Sequence, residues 1–185
     1  IGKPVDKTEW GMFPHTVNAY YNPTMNEIVF PAAILQAPFF NVRGSFGANY
    51  GAIGMGMGHE ITHGFDDEGR NFDGDGNLKD WWSPTVAQKF EGKADCLVKQ
   101  YDAYTVSGGV HLNGKLTLGE NIADLGGLKL SWAAYQKAKE GKPEAPLYAG
   151  LTEDQQFFVS NAQVWCAKQT VEYEQLQAQT NPHST

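Results

Sequence analysis

His59-Glu60-Ile61-Thr62-His63 decides how this chain of 185 residues is read. Two imidazoles stand four residues apart, with a carboxylate beside the first. On a helix, one turn brings both histidines to the same face. From that spacing a single helix offers two nitrogens to a zinc ion, and the Glu is placed to reach a water at the metal. The stretch from Tyr50 to Phe65 reads as that helix. Gly51, Gly54, Gly56 and Gly58 precede the motif, and each glycine inside a helix costs about 1 kcal/mol relative to Ala. Four of them predict a helix crowded on several sides, where no side chain fits.

A zinc site needs at least a third protein ligand, and catalytic sites stop at three to leave one position open. The other histidines are His15, His111 and His183. The stronger candidate is Glu120, in Gly119-Glu120-Asn121-Ile122-Ala123-Asp124. Glu120 and Asp124 are four apart and share a face if helical. A ligand at Glu120 leaves Asp124 one turn away, where it can accept the free ring N–H of a ligating histidine. Such a carboxylate fixes the tautomer and raises ligand basicity. Two antiparallel helices, one with His59 and His63 and one with Glu120 and Asp124, form a complete site. Thr117-Leu118-Gly119-Glu120 also fits the S/T-x-x-E capping box, and taken alone that spacing favours the cap.

Composition narrows the rest. The length suits one domain, and 41% hydrophobic with 12% aromatic residues supplies a core. Fourteen Lys and Arg against 21 Asp and Glu give a net charge of −7, with no basic stripe, which argues against a nucleic-acid surface. No apolar run approaches the roughly 20 residues of a membrane span, and no signal-peptide pattern starts at Ile1. Cys96 and Cys166 lie far apart and in no C-x-x-C spacing, so thiolate ligation is not indicated. They read as one disulfide or as buried free thiols.

Along the chain, residues 1 to 16 read as an irregular lead-in. Val17 to Tyr21 and Glu27 to Phe30 are β-prone and predict a hairpin around Pro23-Thr24-Met25-Asn26. Pro31 to Leu35 predicts a short helix with Pro31 first, and Ala37 to Gly47 a loop. Asp66 to Trp82 is a polar, Gly-rich loop. Its Asp73-Gly74-Asp75-Gly76-Asn77 fails the calcium-loop pattern, because Leu78 and Pro84 stand where Gly and Glu are needed, and reads as a turn. Trp81-Trp82 reads as a core plug. Ser83-Pro84 opens a helix to Tyr104. Further helices are expected over Thr117–Lys139 and Thr152–Gln177. The last shows an apolar face of Phe157, Phe158, Val164 and Trp165, and a Pro-containing linker over Gly141–Gly150 precedes it. The fold class is mainly α with a small β portion.

Taken together, Val17-Asn18-Ala19-Tyr20-Tyr21, the His59 to Asp67 segment and Gly119 to Gly127 resemble the neprilysin and endothelin-converting-enzyme family of zinc metallopeptidases. Phe30 to Gln36 and Ala162 to Cys166 look like family segments in family order. The resemblance implies a thermolysin-like zincin catalytic core, incomplete in this chain. Residues 1–185 would be one zinc metallopeptidase catalytic domain without the family's N-terminal helical region and extreme C-terminus, and the remainder of the parent polypeptide would pack on it.

By resemblance, His59, His63 and Glu120 hold one zinc ion, Glu60 is the general base, Asp124 orients His59, and His183 helps stabilise the oxyanion. Asn18 and Ala19 match the edge segment that hydrogen-bonds peptide backbone, a strand-addition mode. Ile34, Phe39, Met55, Val164 and Trp165 match a pocket for large apolar side chains after the scissile bond. Gly56 stands where many relatives carry a bulkier Val. The resemblance also implies peptide substrates, an extracytoplasmic location and no Cys96–Cys166 disulfide. Two function classes follow: a zinc endopeptidase cleaving oligopeptides on the amino side of large hydrophobic residues, or a catalytically incompetent zinc-holding or peptide-binding fragment. The second needs Asn18 and the helices but not Glu60.

Overall fold

The computed structural model describes residues 2, 5–143 and 147–184. Part of the expected linker, residues 144–146, lies outside them. Strands β1 (Tyr20–Asn22) and β2 (Glu27–Val29) form an antiparallel hairpin with Tyr20 opposite Val29 and Asn22 opposite Glu27. The Asn22 carboxamide accepts from the Thr24 and Met25 backbone N–H groups and shapes the turn. The expected helix from Pro31 is a single 3-10 turn, Ala32–Ile34, with Pro31 just before it.

The motif helix begins earlier than expected and is not uniform. A short α-helix, α1 (Phe46–Asn49), is capped by the Ser45 hydroxyl on Ala48 N–H. It continues through a π-turn, Tyr50–Gly54, into α2 (Met55–His63). A π-turn leaves carbonyls short of regular partners, and such turns recur at functional sites. Here two neighbours supply the missing donors. The Ser131 hydroxyl donates to the Tyr50 carbonyl, and Asn161 Nδ2 donates to the Gly51 carbonyl at 3.2 Å.

Helix α3 (Pro84–Asp102) starts where expected, with the Ser83 hydroxyl on Val86 N–H. Helix α4 (Leu118–Lys139) crosses α2. The capping box that the Thr117–Glu120 spacing also fits does not form. The Thr117 hydroxyl instead donates to the Asn113 carbonyl and accepts from Asn121 Nδ2. A capping box does form at Thr152 and Gln155.

The single helix expected over Thr152–Gln177 is two helices, α5 (Glu153–Val164) and α6 (Val171–Thr180). Thr170 caps the second through Tyr173 N–H. That local hydrogen bond offers the backbone an alternative to continued helix. Tyr135 and Phe157, both fully buried, join α4 to α5 with ring centroids 5.7 Å apart. Trp132 packs on Phe157 at 5.1 Å.

Three sequence expectations fail on burial. Trp81 is 46% exposed, its indole donating to the Phe72 carbonyl, while Trp82 packs edge-on against Phe90. Cys96 and Cys166 are both free and exposed, not buried. Phe158 of the expected apolar face is 51% exposed, because Phe157 alone fills the inner position.

Candidate metal centre

Helix α2 turns both motif imidazoles to one side. His59 Nε2 and His63 Nε2 lie 2.9 Å apart, with the rings edge to face. Their outer nitrogens are each held by a carboxylate. His59 Nδ1 is 2.8 Å from Asp124 Oδ1, and His63 Nδ1 is 2.7 Å from Asp66 Oδ2. A carboxylate only accepts, so both Nδ1 atoms carry the proton and the neutral rings direct lone pairs from Nε2 inward. Two lone pairs do not approach to 2.9 Å without a cation or proton to share.

Glu120, on the first turn of α4, completes the convergence. Its Oε2 is buried and makes no hydrogen bond. It sits 3.3 Å from His59 Nε2 and 3.5 Å from His63 Nε2. Zinc–nitrogen bonds of about 2.0–2.1 Å in a tetrahedron separate the donors by about 3.3 Å, so these spacings suit that ion. The orphaned carboxylate oxygen and the paired Nε2 atoms are the test of fit, and the residues pass it.

Electrostatics agree. Burial pushes the His59 imidazole down, but Asp124 and Glu120 outweigh it and raise its pKa to about 9. Burial likewise opposes His63, and Asp66 with Glu120 raises it to about 10. Burial pushes the Glu120 carboxyl up, and the histidines more than reverse that, holding it well below the usual carboxylate range. The site therefore holds positive charge strongly, as protons or as a metal.

Glu60 is 6% exposed and lines the adjoining cavity. Burial raises its carboxyl above the ordinary value, opposed by the two histidines. One donor atom each from His59, Glu60 and His63 lie within 4.8 Å of one another.

The cavity measures about 440 Å³ and brings together residues from distant parts of the chain. Asn18 and Ala19 precede β1. Ile34 and Phe39 follow the hairpin, Met55 and Gly56 open α2, and Val164 and Trp165 end α5. The break after α5 leaves Trp165 57% exposed at this wall. A side chain at Gly56 would meet nothing within 4 Å, so the crowding expected from four glycines does not extend to it. Gly51 faces the Phe157 carbonyl, Gly54 the Ser131 hydroxyl and Gly58 the Gly127 backbone.

His183 reaches the site from beyond α6, with Nε2 3.4 Å from Glu120 Oε2. Asn181 Oδ1 accepts from the His183 backbone N–H at 2.9 Å and faces its Nδ1 at 3.0 Å. The Asn181 amide donates to Gln177, which fixes which end is oxygen. His183 Nδ1 therefore carries a proton, and donation from Nε2 requires the doubly protonated ring.

Sequence reasoning missed Asp66 and Asn181. Asp66 is 5% exposed, and its Oδ1 accepts from Glu68 and Gly69 N–H at 2.9 and 2.7 Å. Its position three residues after His63 was the available signal. His15 and His111 take no part: His15 stacks on Phe13, and His111 hydrogen-bonds the Asp102 carbonyl.

The fold and donor set define an HExxH zinc protein built on two crossing helices. Residues 18–185 match peptidase family M13, and the chain belongs to that family; zinc is its cofactor. Neprilysin-3 of Drosophila melanogaster is 51% identical, covering 100% of this chain and 24% of its own length. Endothelin-converting enzyme 1 of Homo sapiens is 48% identical with the same coverage. The zinc metalloprotease Zmp1 of Mycobacterium tuberculosis, solved with an inhibitor, superposes with a TM-score of 0.94 at 50% identity over 99% of this chain and 29% of that one. The chain spans about a quarter of the length of the curated relatives it matches.

Proposed function

We propose that this chain carries the active site of a zinc-dependent endopeptidase that cleaves oligopeptides on the amino side of large hydrophobic residues. The observation that carries this reading is the pair of Nε2 atoms 2.9 Å apart, each backed by a carboxylate and faced by the unpaired Glu120 Oε2. His59, His63 and Glu120 would hold the metal. Three protein ligands leave one position open, as in catalytic sites. Zinc bound there supplies a Lewis acid that acidifies water and polarises a carbonyl.

The chain's own residues supply the rest. Glu60, buried and with a raised pKa, takes a proton from the attacking water and delivers it to the leaving amine. Asp124 and Asp66 hold the two ligand rings in the tautomer that faces inward. His183, its Nδ1 facing Asn181 Oδ1, presents Nε2 to the developing oxyanion, and donors so aimed are commonly worth about 2.7–4 kcal/mol. Asn18 and Ala19 lie at the cavity beside the hairpin edge, where an extended peptide can add as a strand. Ile34, Phe39, Met55, Val164 and Trp165 offer an apolar wall for the side chain after the scissile bond. Peptides are the substrates in this reading, and an extracytoplasmic location rests on the family resemblance alone. Among the described residues no helix is long and apolar enough to cross a membrane.

Glu60→Gln tests the reading. It should keep zinc at the parent stoichiometry and lose peptide cleavage by about 10²-fold or more. Equal turnover by the variant would remove Glu60 from the mechanism. Zinc binding without cleavage by the parent chain would favour the fragment that only holds metal or peptide.

A further inference from the structure

Helices α2 and α4 touch backbone to backbone at one point. A Cβ at Gly127 would meet His59 N at 2.6 Å, the Met55 carbonyl oxygen at 2.7 Å and His59 Cα at 2.9 Å. From the other side, a Cβ at Gly58 would meet the Gly127 carbonyl oxygen at 2.8 Å and its Cα at 2.9 Å. The atoms in the way are main chain, so no rotamer change relieves the overlap. Two of them belong to His59 itself.

Position along each helix gives this contact a meaning beyond packing. Asp124 is three residues before Gly127 and Glu120 seven before it, so all three share the α4 face that meets α2. His59 lies at the crossing and His63 one turn on. We infer that Gly127 is a positioning residue: by admitting the His59 backbone, it sets the separation at which Asp124 and Glu120 reach the two histidines. The inference rests on the zinc reading of the site.

Magnitudes decide how much slack exists. A Cβ at Gly127 falls about 0.8 Å short of ordinary 3.4 Å contact with His59 N. The His59 Nδ1–Asp124 Oδ1 separation is 2.8 Å, and Asp carries a single methylene with which to follow. Moving α4 off by that amount takes the pair past about 3.5 Å, where no hydrogen bond remains. Ligand distances in a metal site tolerate about 0.2 Å. Losing the partner of a ligating histidine typically weakens metal binding about 10–100-fold.

The experiment is a zinc titration by competition with a chromophoric chelator, run on the parent, Gly127→Ala, Asp124→Ala and the double variant. Circular dichroism of each metal-free protein reports folding. Gly127→Ala should keep its helix content and bind zinc about 10–100-fold more weakly. The double variant should lose clearly less than the product of the two single losses, because Gly127→Ala has already broken the His59–Asp124 hydrogen bond that Asp124→Ala removes, whatever it adds by moving Glu120. Gly92→Ala on α3, where a Cβ meets nothing within 4 Å, should leave zinc affinity unchanged. Zinc affinity within twofold of the parent in Gly127→Ala, or losses that simply multiply in the double variant, would overturn the inference while leaving the zinc site intact. A parent that binds no zinc would overturn the site and the inference together. If Gly127→Ala does not fold, Gly58→Ala presents the milder overlap and carries the same cycle.

Discussion

Asp66 Oδ2 accepts the ring N–H of His63 at 2.7 Å, matching on the second ligand what Asp124 does for the first. The two supports differ in origin. Asp124 sits on the opposite helix, while Asp66 is local, three residues beyond His63 and held by the Glu68 and Gly69 N–H groups.

Removing that local support is the most direct probe of the site. Asp66→Ala frees the His63 ring to rotate and lets its tautomer change. Zinc affinity should fall about 10–100-fold, measured by competition titration, and helix content should hold. An unchanged affinity would mean the helix alone fixes His63.

Proton linkage gives a second expectation. In the metal-free chain both imidazoles have pKa values raised above the ordinary 6.5, to about 9 and about 10. A raised value means the folded state binds protons more tightly than the unfolded one. That stabilisation is fully present below about pH 6.5 and is lost as pH rises through 9 to 10. The melting temperature of chelator-treated protein should therefore drop across that interval. Zinc must displace those protons, so its apparent affinity should rise over the same range. A metal-free melting curve flat from pH 6.5 to 10 would contradict the raised values.

The tether on His183 predicts a split between binding and turnover. Asn181→Ala removes the acceptor of both the ring and the backbone N–H of His183. Zinc affinity should stay within about twofold, because Asn181 touches no candidate ligand. Cleavage of a model peptide should fall about 10-fold or more in kcat with little change in KM, as expected when an interaction belongs to the transition state. Loss confined to KM would place His183 in peptide binding instead.

Ser131, 3% exposed, is the hydroxyl donor to the Tyr50 carbonyl in the π-turn. Ser131→Ala leaves that carbonyl with one partner fewer and should lower stability by about 1 kcal/mol in urea unfolding. The ligand atoms lie beyond the turn, so zinc affinity of the folded variant should hold.

The donor set was legible in sequence because helical spacing alone puts His59 with His63 and Glu120 with Asp124 on common faces. Cap and ligand readings of Glu120 could not be separated locally, since both use the same spacing. The choice turns on α4 packing against α2, a tertiary fact. The hairpin and the start of α3 were legible through Asn22-Pro23 and Ser83-Pro84. The break between α5 and α6 was not, because residues 165–170 contain no Gly or Pro and only Thr170 hints at a new cap. Trp81 was misread because hydrophobicity reports a wish for cover and not whether cover exists. The cavity wall joins residues up to 166 positions apart, from Val17 to His183, and periodicity is blind to such distances.

The π-turn at Tyr50–Gly54 acts as a reading frame for everything after it. Each helical residue advances the face by about 100°. Deleting one residue there would leave a continuous helix and an unaltered His59-Glu60-Ile61-Thr62-His63. Yet both imidazoles would swing about a quarter-turn off the face that meets Glu120. Such a chain would spell the motif correctly and hold no metal, so in this protein the five letters are meaningful only in phase with the helix that precedes them.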